Sequence, residues 1–300
     1  MSDIKLFKVT EADVRELDGK SVAVEKSLQA LIERNINQFL DIRFLASEYQ
    51  TGKSHGGRID TLGIDENGSP VIIEYKRSLN ENVINQGLYY LDWLLDHKAE
   101  FKLIVIDKFG KELSESIEWD NARLLCIAGE FTKFDEHAVK QMNRNIELIR
   151  YRRFDDDLLL LELVNATSSQ TESKPKTPSR SRDATVMELY DKMADEHKDR
   201  YEMLKAFMLS LGDDVQEKET KYYIAFKRLK NFACFEFHPN DGEILVFAKI
   251  DPKSIDLEEG FTRDVSNIGH FGTGDLEIRI KSDDDALCAQ PFILKSYEEN

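Results

Sequence analysis

One stretch of the sequence, residues 167–183, divides the chain and so limits what the chain can fold into. It reads TSSQTESKPKTPSRSRD and combines Ser, Thr and Pro with scattered charge and no large apolar side chain. Such a segment cannot offset the entropy of ordering by burying apolar surface. We therefore predict a flexible linker at 167–184, between one domain at 1–166 and a second domain at 185–300.

The length and the composition fit two soluble domains. The 300 residues are 41% hydrophobic and 33% charged, which is enough apolar material for two cores. No run of 18 or more apolar residues occurs, and the N-terminus lacks the layout of a secretory signal. All three cysteines lie in apolar contexts, which predicts buried free thiols. We expect a cytoplasmic protein without membrane contact.

The formal net charge of −16 argues against a protein that coats nucleic acid non-specifically, because neutralising phosphates requires clustered Lys and Arg. Any nucleic-acid contact must therefore come from a local patch. Two C-terminal stretches are candidates. Lys221–Phe232 mixes basic and aromatic residues, although an ordinary half-buried hairpin is favoured. Gly269–Asp275 is rich in glycine, although a turn with positive φ is favoured over a phosphate cradle.

The apolar periodicity predicts an α/β fold followed by an α+β fold. In the N-terminal part, helices are predicted at Ser21–Leu40 and Leu79–His97, and strands at Arg58–Ile64, Val71–Lys76 and Phe101–Ile106. This alternation indicates a mixed sheet flanked by helices. The part after residue 184 reads as a smaller α+β domain in which helices precede several strands.

The chemically informative residues lie on two of these strands. A turn joins Arg58–Ile64 to Val71–Lys76, so a hairpin would bring Asp60 beside Glu74. Two carboxylates at a sheet edge suit a hard cation such as Mg²⁺ or Mn²⁺, and the Tyr75 carbonyl is a further candidate metal ligand. Because strand side chains alternate, Lys76 lies on the same face as Glu74. Such a site suits phosphodiester hydrolysis, with the lysine assisting the attacking water.

The helix that follows presents two stripes. One stripe is apolar and predicts the core contact. The second contains Gln86, Tyr90, Trp93 and His97, which indicates a face toward a polar cavity. Gln86 and Tyr90 are four residues apart, so both side chains can reach the same point.

Together these motifs resemble the PD-(D/E)XK nuclease superfamily. The matching segments are Gly57-Arg58-Ile59-Asp60, then Glu74-Tyr75-Lys76, then Gln86-x-x-x-Tyr90. More narrowly, residues 1–165 are similar to the nuclease domain of NucS/EndoMS-type endonucleases, with their RecB-like Gln-x-x-x-Tyr motif. The second part resembles an uncharacterised domain that often follows such nuclease folds.

The resemblance implies a restriction-endonuclease-like fold and a Mg²⁺- or Mn²⁺-dependent DNA endonuclease. Asp60 and Glu74 would bind the metal, Glu25 would contact it through water, and Lys76 would assist the nucleophile. Gln86 and Tyr90 would position the lysine or the DNA. Relatives of this type carry an N-terminal DNA-binding domain, whereas this chain begins almost directly with the nuclease part, so we do not expect mismatch recognition to carry over.

The sequence leaves an alternative open, namely a catalytically silent nuclease-fold scaffold that binds nucleic acid or a protein. The acidic composition favours the scaffold, and the intact set of Asp60, Glu74 and Lys76 favours the enzyme. DNA or RNA as target, repair or defence as pathway, a homodimer, and a protein partner bound through residues 185–300 also stay open.

Overall fold

A computed structural model describes residues 4–11, 13–20, 25–52, 56–76, 83–155, 157–167 and 184–300. The chain divides into two units, Met1–Gln170 and Thr171–Asn300. The predicted linker at 167–184 lies, apart from its two end residues, outside the described residues. Within the described part of the chain, no helix is long and apolar enough to cross a membrane.

The N-terminal unit is built on one mixed sheet. The strands of this unit are β1 Leu6–Val9, β2 Val14–Leu17, β3 Gly19–Lys20, β4 Ile42–Gln50, β5 Arg58–Asp65, β6 Pro70–Lys76, β7 Arg123–Ala128, β8 Asn145–Phe154 and β9 Leu158–Thr167. Its helices are α1 Glu25–Arg34, α2 Ile36–Leu40, α3 Val83–Asp96, α4 Lys98–Phe109, α5 Lys111–Glu115 and α6 Lys133–Lys140. The sheet runs in the order β3-β8-β7-β6-β5-β4, β9 pairs with β8, and β1 and β2 form a separate hairpin.

The central strands of this sheet are buried, which explains why their sequences are apolar. Strands β6, β7 and β8 are parallel neighbours, while β4 and β5 run antiparallel on one side and β9 on the other. The β6 sequence PVIIEYK is buried up to its last residue, as expected for a strand covered on both faces. Helices α3, α4 and α6 contribute to the core on one face, and α1 contacts the other.

One predicted strand is a helix. Phe101–Ile106 lies inside α4, whose buried residues Phe101 and Val105 are four apart, while Leu103 is 66% exposed. The β-branched run LIVI suggested a strand, but the burial follows the helical period. The predicted helix Ser21–Leu40 is divided at Asn35 into α1 and α2, and its first four residues lie outside the described residues.

The C-terminal unit packs helices on one face of an antiparallel sheet. Its elements are α7 Val186–Asp191, α8 Asp195–Ser210, β10 Gln216–Glu219, β11 Ile224–Lys227, β12 Asn231–His238, β13 Glu243–Ala248, β14 Thr262–Asp264, β15 Leu276–Ile280 and α9 Asp283–Glu299. The sheet order is β10-β11-β12-β13-β15-β14. The predicted fold class, a mixed α/β sheet flanked by helices with a separate α+β C-terminal part, is confirmed.

Two C-terminal stretches take the favoured structural interpretation. Gly272 has φ +79°, and a Cβ atom there would lie 2.7 Å from the Cys234 Cβ, so the glycine-rich stretch is a tight turn over the sheet. In the basic and aromatic stretch, Phe226, Lys227 and Phe232 are at most 1% exposed. Those side chains belong to the interior and offer no surface to a phosphate backbone.

The cysteine prediction is partly wrong. Cys126 and Cys234 are buried free thiols, as expected, but Cys288 is exposed on α9. The apolar context of Cys288 arises because α9 is amphipathic, and the thiol lies on the side of the helix that faces solvent.

Candidate active site

The candidate site lies where the β5–β6 ladder ends. The backbone pairing continues to Thr61 opposite Ile73, and the next two residues facing one another in that register are Asp60 and Glu74. Both therefore lie at the carboxyl end of β6. In sheets with parallel strands this edge is where ligands usually bind.

Beyond the last backbone pair of the ladder, the carboxylates of the two acids accept hydrogen bonds from backbone N–H groups. The Asp60 backbone N–H donates to Glu74 Oε1 over 3.1 Å. In return the Tyr75 backbone N–H donates to Asp60 Oδ2, also over 3.1 Å. Each carboxylate thus reaches the backbone of the other strand, and this cross-linking holds the two acids side by side.

Helix α3 holds the second acid from above the sheet. Glu74 is 0% exposed, and Gln86 Nε2 on α3 donates to Glu74 Oε2 over 2.8 Å. Each carboxylate oxygen has two acceptor sites, so a carboxylate that accepts N–H bonds can also bind a cation. This hydrogen bond places Gln86 against a candidate metal ligand, and the role of Gln86 in positioning the lysine or the DNA stays a prediction.

The charge of Glu74 acts on its buried neighbours. Cys126 faces Glu74 across the β6–β7 pair, and burial together with the Glu74 and Asp135 carboxylates raises the pKa of its thiol far above the usual range. The Tyr75 side chain lies on the opposite face, where burial and the carboxylates of Glu33, Asp60 and Glu74 raise its pKa. Both groups stay neutral, so neither is a general base, and the candidate ligand of Tyr75 is its carbonyl.

Tyr90 contacts the entry to β5. Its hydroxyl accepts the Arg58 backbone N–H over 3.1 Å, and its ring occupies the space where Gly57 has no side chain. Tyr90 is 7% exposed and Trp93 is 1% exposed, and both belong to the main core. The prediction that this stripe faces a polar cavity is therefore wrong for Tyr90 and Trp93, whereas Gln86 does face a polar group, the Glu74 carboxylate. Tyr90 instead fixes the strand that presents Asp60.

Lys76 and Glu25 are placed less completely. Lys76 ends β6, two residues after Glu74, and is partly exposed. Glu25 begins α1, and its side chain lies outside what the structure describes. One helical turn later, Gln29 Nε2 donates to the Asp60 carbonyl over 2.9 Å. Gln29 was not among the predicted site residues, although its spacing of four from Glu25 puts it on the same side of the helix.

The donor set fits a magnesium-type ion. Among the described residues, no three or more His, Cys, Asp or Glu side chains are arranged to share an ion, and Asp60 and Glu74 are the two acids that hydrogen bonds bring together at the candidate site. Mg²⁺ commonly binds one or two carboxylates and keeps several waters, or takes substrate phosphate oxygens in their place. The Tyr75 carbonyl would add a neutral oxygen ligand. A soft metal would not suit these all-oxygen donors.

Comparisons with known proteins give a relative, a family match and a structural likeness. The chain is 29% identical over 290 residues to an uncharacterized protein of Haemophilus influenzae, covering 93% of this chain and 94% of that protein. Residues 186–300 match a family described as a domain of unknown function, DUF5655. A solved EndoMS–dsDNA complex is 19% identical, with a TM-score of 0.26, over 44% of this chain and 48% of that chain.

Proposed function

We propose that this protein is a metal-dependent endonuclease that hydrolyses phosphodiester bonds of DNA, with its active site at Asp60, Glu74 and Lys76. The observation behind the proposal is the mutual hydrogen bonding of Asp60 and Glu74, which fixes two carboxylates at the open end of a buried strand. Two adjacent acids, one of them fully buried, favour binding of a cation. DNA as the substrate is proposed from the sequence resemblance.

Each residue has a distinct part in the proposed reaction. Asp60 and Glu74 would hold Mg²⁺ or Mn²⁺, with the Tyr75 carbonyl as a third oxygen ligand. The bound ion supplies Lewis-acid stabilisation of phosphoryl oxygens and lowers the pKa of a water. The Lys76 ammonium, on the same face as Glu74, would orient the attacking water and stabilise the charge that develops on the phosphate. Gln86 keeps Glu74 in place, and Glu25 would reach the metal through water.

The test is cleavage of supercoiled, nicked, branched and single-stranded DNA, with an RNA arm, in Mg²⁺ or Mn²⁺ and in chelator. Asp60→Asn is the preferred variant, because an amide oxygen can still accept the Tyr75 N–H while the charge is lost. Glu74→Gln is less clean, since its amide N–H₂ would meet an existing donor, either the Asp60 N–H or the Gln86 amide. Lys76→Met removes the ammonium and keeps the aliphatic stem.

We expect Asp60→Asn and Lys76→Met each to lower the cleavage rate by about 10²-fold or more. A wild-type protein that cuts nothing under any of these conditions would refute the enzyme proposal. If it nevertheless binds DNA, the scaffold alternative becomes the better explanation. Undiminished cutting by both variants would place the chemistry elsewhere in the chain or in a contaminant.

A further inference from the structure

A third acidic residue, Glu48, lies on β4 directly opposite Asp60 of β5. In the β4–β5 pair, Ser47 faces Thr61 and Tyr49 faces Ile59, so Glu48 and Asp60 are the residues between these two pairs. Glu48 has φ +54°, in the left-handed region that non-glycine residues seldom occupy. Outliers of this kind often occur where a functional group is held in place.

The side chains on either side of Glu48 show that β4 turns over at this position, meaning that its side chains change the face of the sheet to which they point. In a regular strand, residues two apart point to the same face. On β4, however, Ser47 Oγ accepts from Gln29 of α1, whereas the Tyr49 ring lies 5.5 Å from the Trp93 ring of α3. Helices α1 and α3 cover opposite faces of the sheet, so β4 changes faces at Glu48.

Strand β5 changes faces at the matching position. Thr61 Oγ1 donates to Glu33 of α1 over 2.6 Å, whereas Ile59 is fully buried in the core on the α3 side. The residue between them is Asp60. Because the strand turns over there, the Asp60 side chain lies along the sheet toward β6, where Oδ2 accepts the Tyr75 N–H. Irregularities of this kind are known to re-aim side chains beside active sites.

An ion pair accompanies the unusual backbone. Glu48 Oε2 lies 2.5 Å from Arg58 Nε, and the two side chains are 31% and 58% exposed. Arg58 is also fixed through its backbone N–H by the Tyr90 hydroxyl. Glu48 is therefore connected, through Arg58, to the start of β5, the strand that carries Asp60.

We propose that Glu48 is a positioning residue for the acid pair, acting through its left-handed backbone, which turns β4 and β5 over and directs the Asp60 carboxylate toward β6. The catalytic significance of this role rests on the proposed nuclease function, whereas the positioning itself can be observed without metal or substrate. Glu48 does not contact the reacting atoms in this proposal.

The test compares Glu48→Gly, Glu48→Ala and Glu48→Val. Glycine accepts a left-handed backbone freely, alanine less well, and β-branched valine poorly. The first readout is hydrogen exchange of the Tyr75 amide in metal-free protein, and the second is Mn²⁺ affinity by calorimetry. We expect the glycine variant to equal or exceed wild type in protection of the Tyr75 amide and in Mn²⁺ affinity. The valine variant should show roughly tenfold faster Tyr75 exchange and roughly tenfold weaker Mn²⁺ binding.

Two controls separate the backbone from the charge. Glu48→Gln and Arg58→Gln each remove the ion pair without a β-branched side chain, so both should stay within about twofold of wild type. If they match the valine variant, the ion pair and not the backbone positions Asp60, and the proposal is wrong. If valine unfolds the protein, the comparison of Glu48→Gly with Glu48→Ala decides, because both lack the ion pair. Slower Tyr75 exchange in the glycine variant supports the proposal, and equal rates in the two variants overturn it.

The design also separates this inference from the proposed function. A wild-type protein that binds no Mn²⁺ and cuts no DNA would refute the nuclease, yet faster Tyr75 exchange in the valine variant would still support Glu48 as the positioning residue. Conversely, a protein that cuts DNA but shows the same Tyr75 exchange in all variants keeps its nuclease function and loses this inference.

Discussion

Gly57 leaves no room for a side chain beside the Tyr90 ring. A Cβ atom there would lie 2.4 Å from Tyr90 Cε1, and the ring is buried. We predict that Gly57→Ala destabilises the N-terminal unit by about 1–3 kcal/mol through overpacking, measured by urea unfolding. Gly269→Ala is the control, since a Cβ there meets no atom within 4 Å. Equal effects of the two substitutions would contradict the packing argument.

The thiols provide a second test at the scale of single residues. Burial and the nearby carboxylates raise the pKa of Cys126, so the reactive thiolate is scarce even in mildly alkaline solution. Cys234 is also buried, whereas Cys288 is exposed. We predict that a disulfide reagent at pH 8 modifies one thiol in the folded protein and all three in denaturant. Cys288→Ser should abolish the reaction of the folded form, and persistent rapid labelling would disprove this assignment.

At the scale of elements, a buried charged cluster joins three strands at the end of the sheet away from the candidate site. Arg123, at the start of β7, lies 3.4 Å from Asp65 Oδ2 of β5 and 3.2 Å from Glu147 Oε1 of β8. Asp65 Oδ1 also accepts the backbone N–H groups of Asn67 and Ser69. Burial alone would lower the pKa of Arg123, but the Glu147 and Asp65 carboxylates raise it, so the guanidinium stays charged.

Removing Arg123 should therefore be costly. We predict that Arg123→Met lowers the free energy of unfolding by about 3–5 kcal/mol, because the buried carboxylates lose their cation. Arg144 is exposed, and its guanidinium donates to the carbonyl of the adjacent Asn143. Arg144→Met should change the free energy of unfolding by about 0.5 kcal/mol or less. Urea denaturation of both variants gives the comparison. A small effect at Arg123 would mean that another group compensates these acids.

The elements were largely predictable because burial leaves a periodic mark on the sequence. The β6 strand and the hairpin with β5 follow from the apolar run and the intervening turn, and the core stripe of α3 follows from its 3.6-residue period. Helix α4 was predicted as a strand because its LIVI run is apolar and rich in β-branched residues. In the structure Val105 is buried but Leu103 and Ile106 are exposed, and the sequence alone does not show this difference.

The pairing of Asp60 with Glu74 was predictable from the hairpin, but the hydrogen bonds around the two acids were not. The active-site roles of Asp60, Glu74 and Lys76 stay predictions. Nothing in the sequence indicates that Gln86 donates to Glu74 or that Tyr90 accepts from Arg58, because these contacts depend on how α3 lies on the sheet. A left-handed glutamate such as Glu48 leaves no mark at all, since glycine and asparagine are the residues that normally signal this conformation.

At the scale of the whole molecule, the two units have separate cores and should respond separately to substitution. In the C-terminal unit, the Ser296 hydroxyl donates to the Phe232 carbonyl over 2.6 Å and accepts the Lys249 N–H over 2.9 Å. Ser296 is 0% exposed, so Ser296→Ala removes two short buried hydrogen bonds and leaves only the longer one, 3.3 Å, from the Lys249 N–H to the Phe232 carbonyl. We expect a cost of about 1–2 kcal/mol.

We predict two calorimetric transitions for the full chain. Arg123→Met should lower the midpoint of one transition, and Ser296→Ala should lower the midpoint of the other. The double variant should show both shifts, close to additively, because the residues share no partner. A single cooperative transition that both substitutions shift would show that the two units unfold together.

The exchange of hydrogen bonds between Asp60 and Glu74 has a consequence for descent. These acids serve folding apart from the proposed chemistry, since losing either would leave a backbone N–H of the neighbouring strand without the acceptor it has here. A lineage that abandoned the proposed reaction would therefore be expected to keep a carboxylate or an amide in place of Asp60 and a carboxylate in place of Glu74. Among descendants of this chain, acids at these two positions alone would then not mark a surviving enzyme.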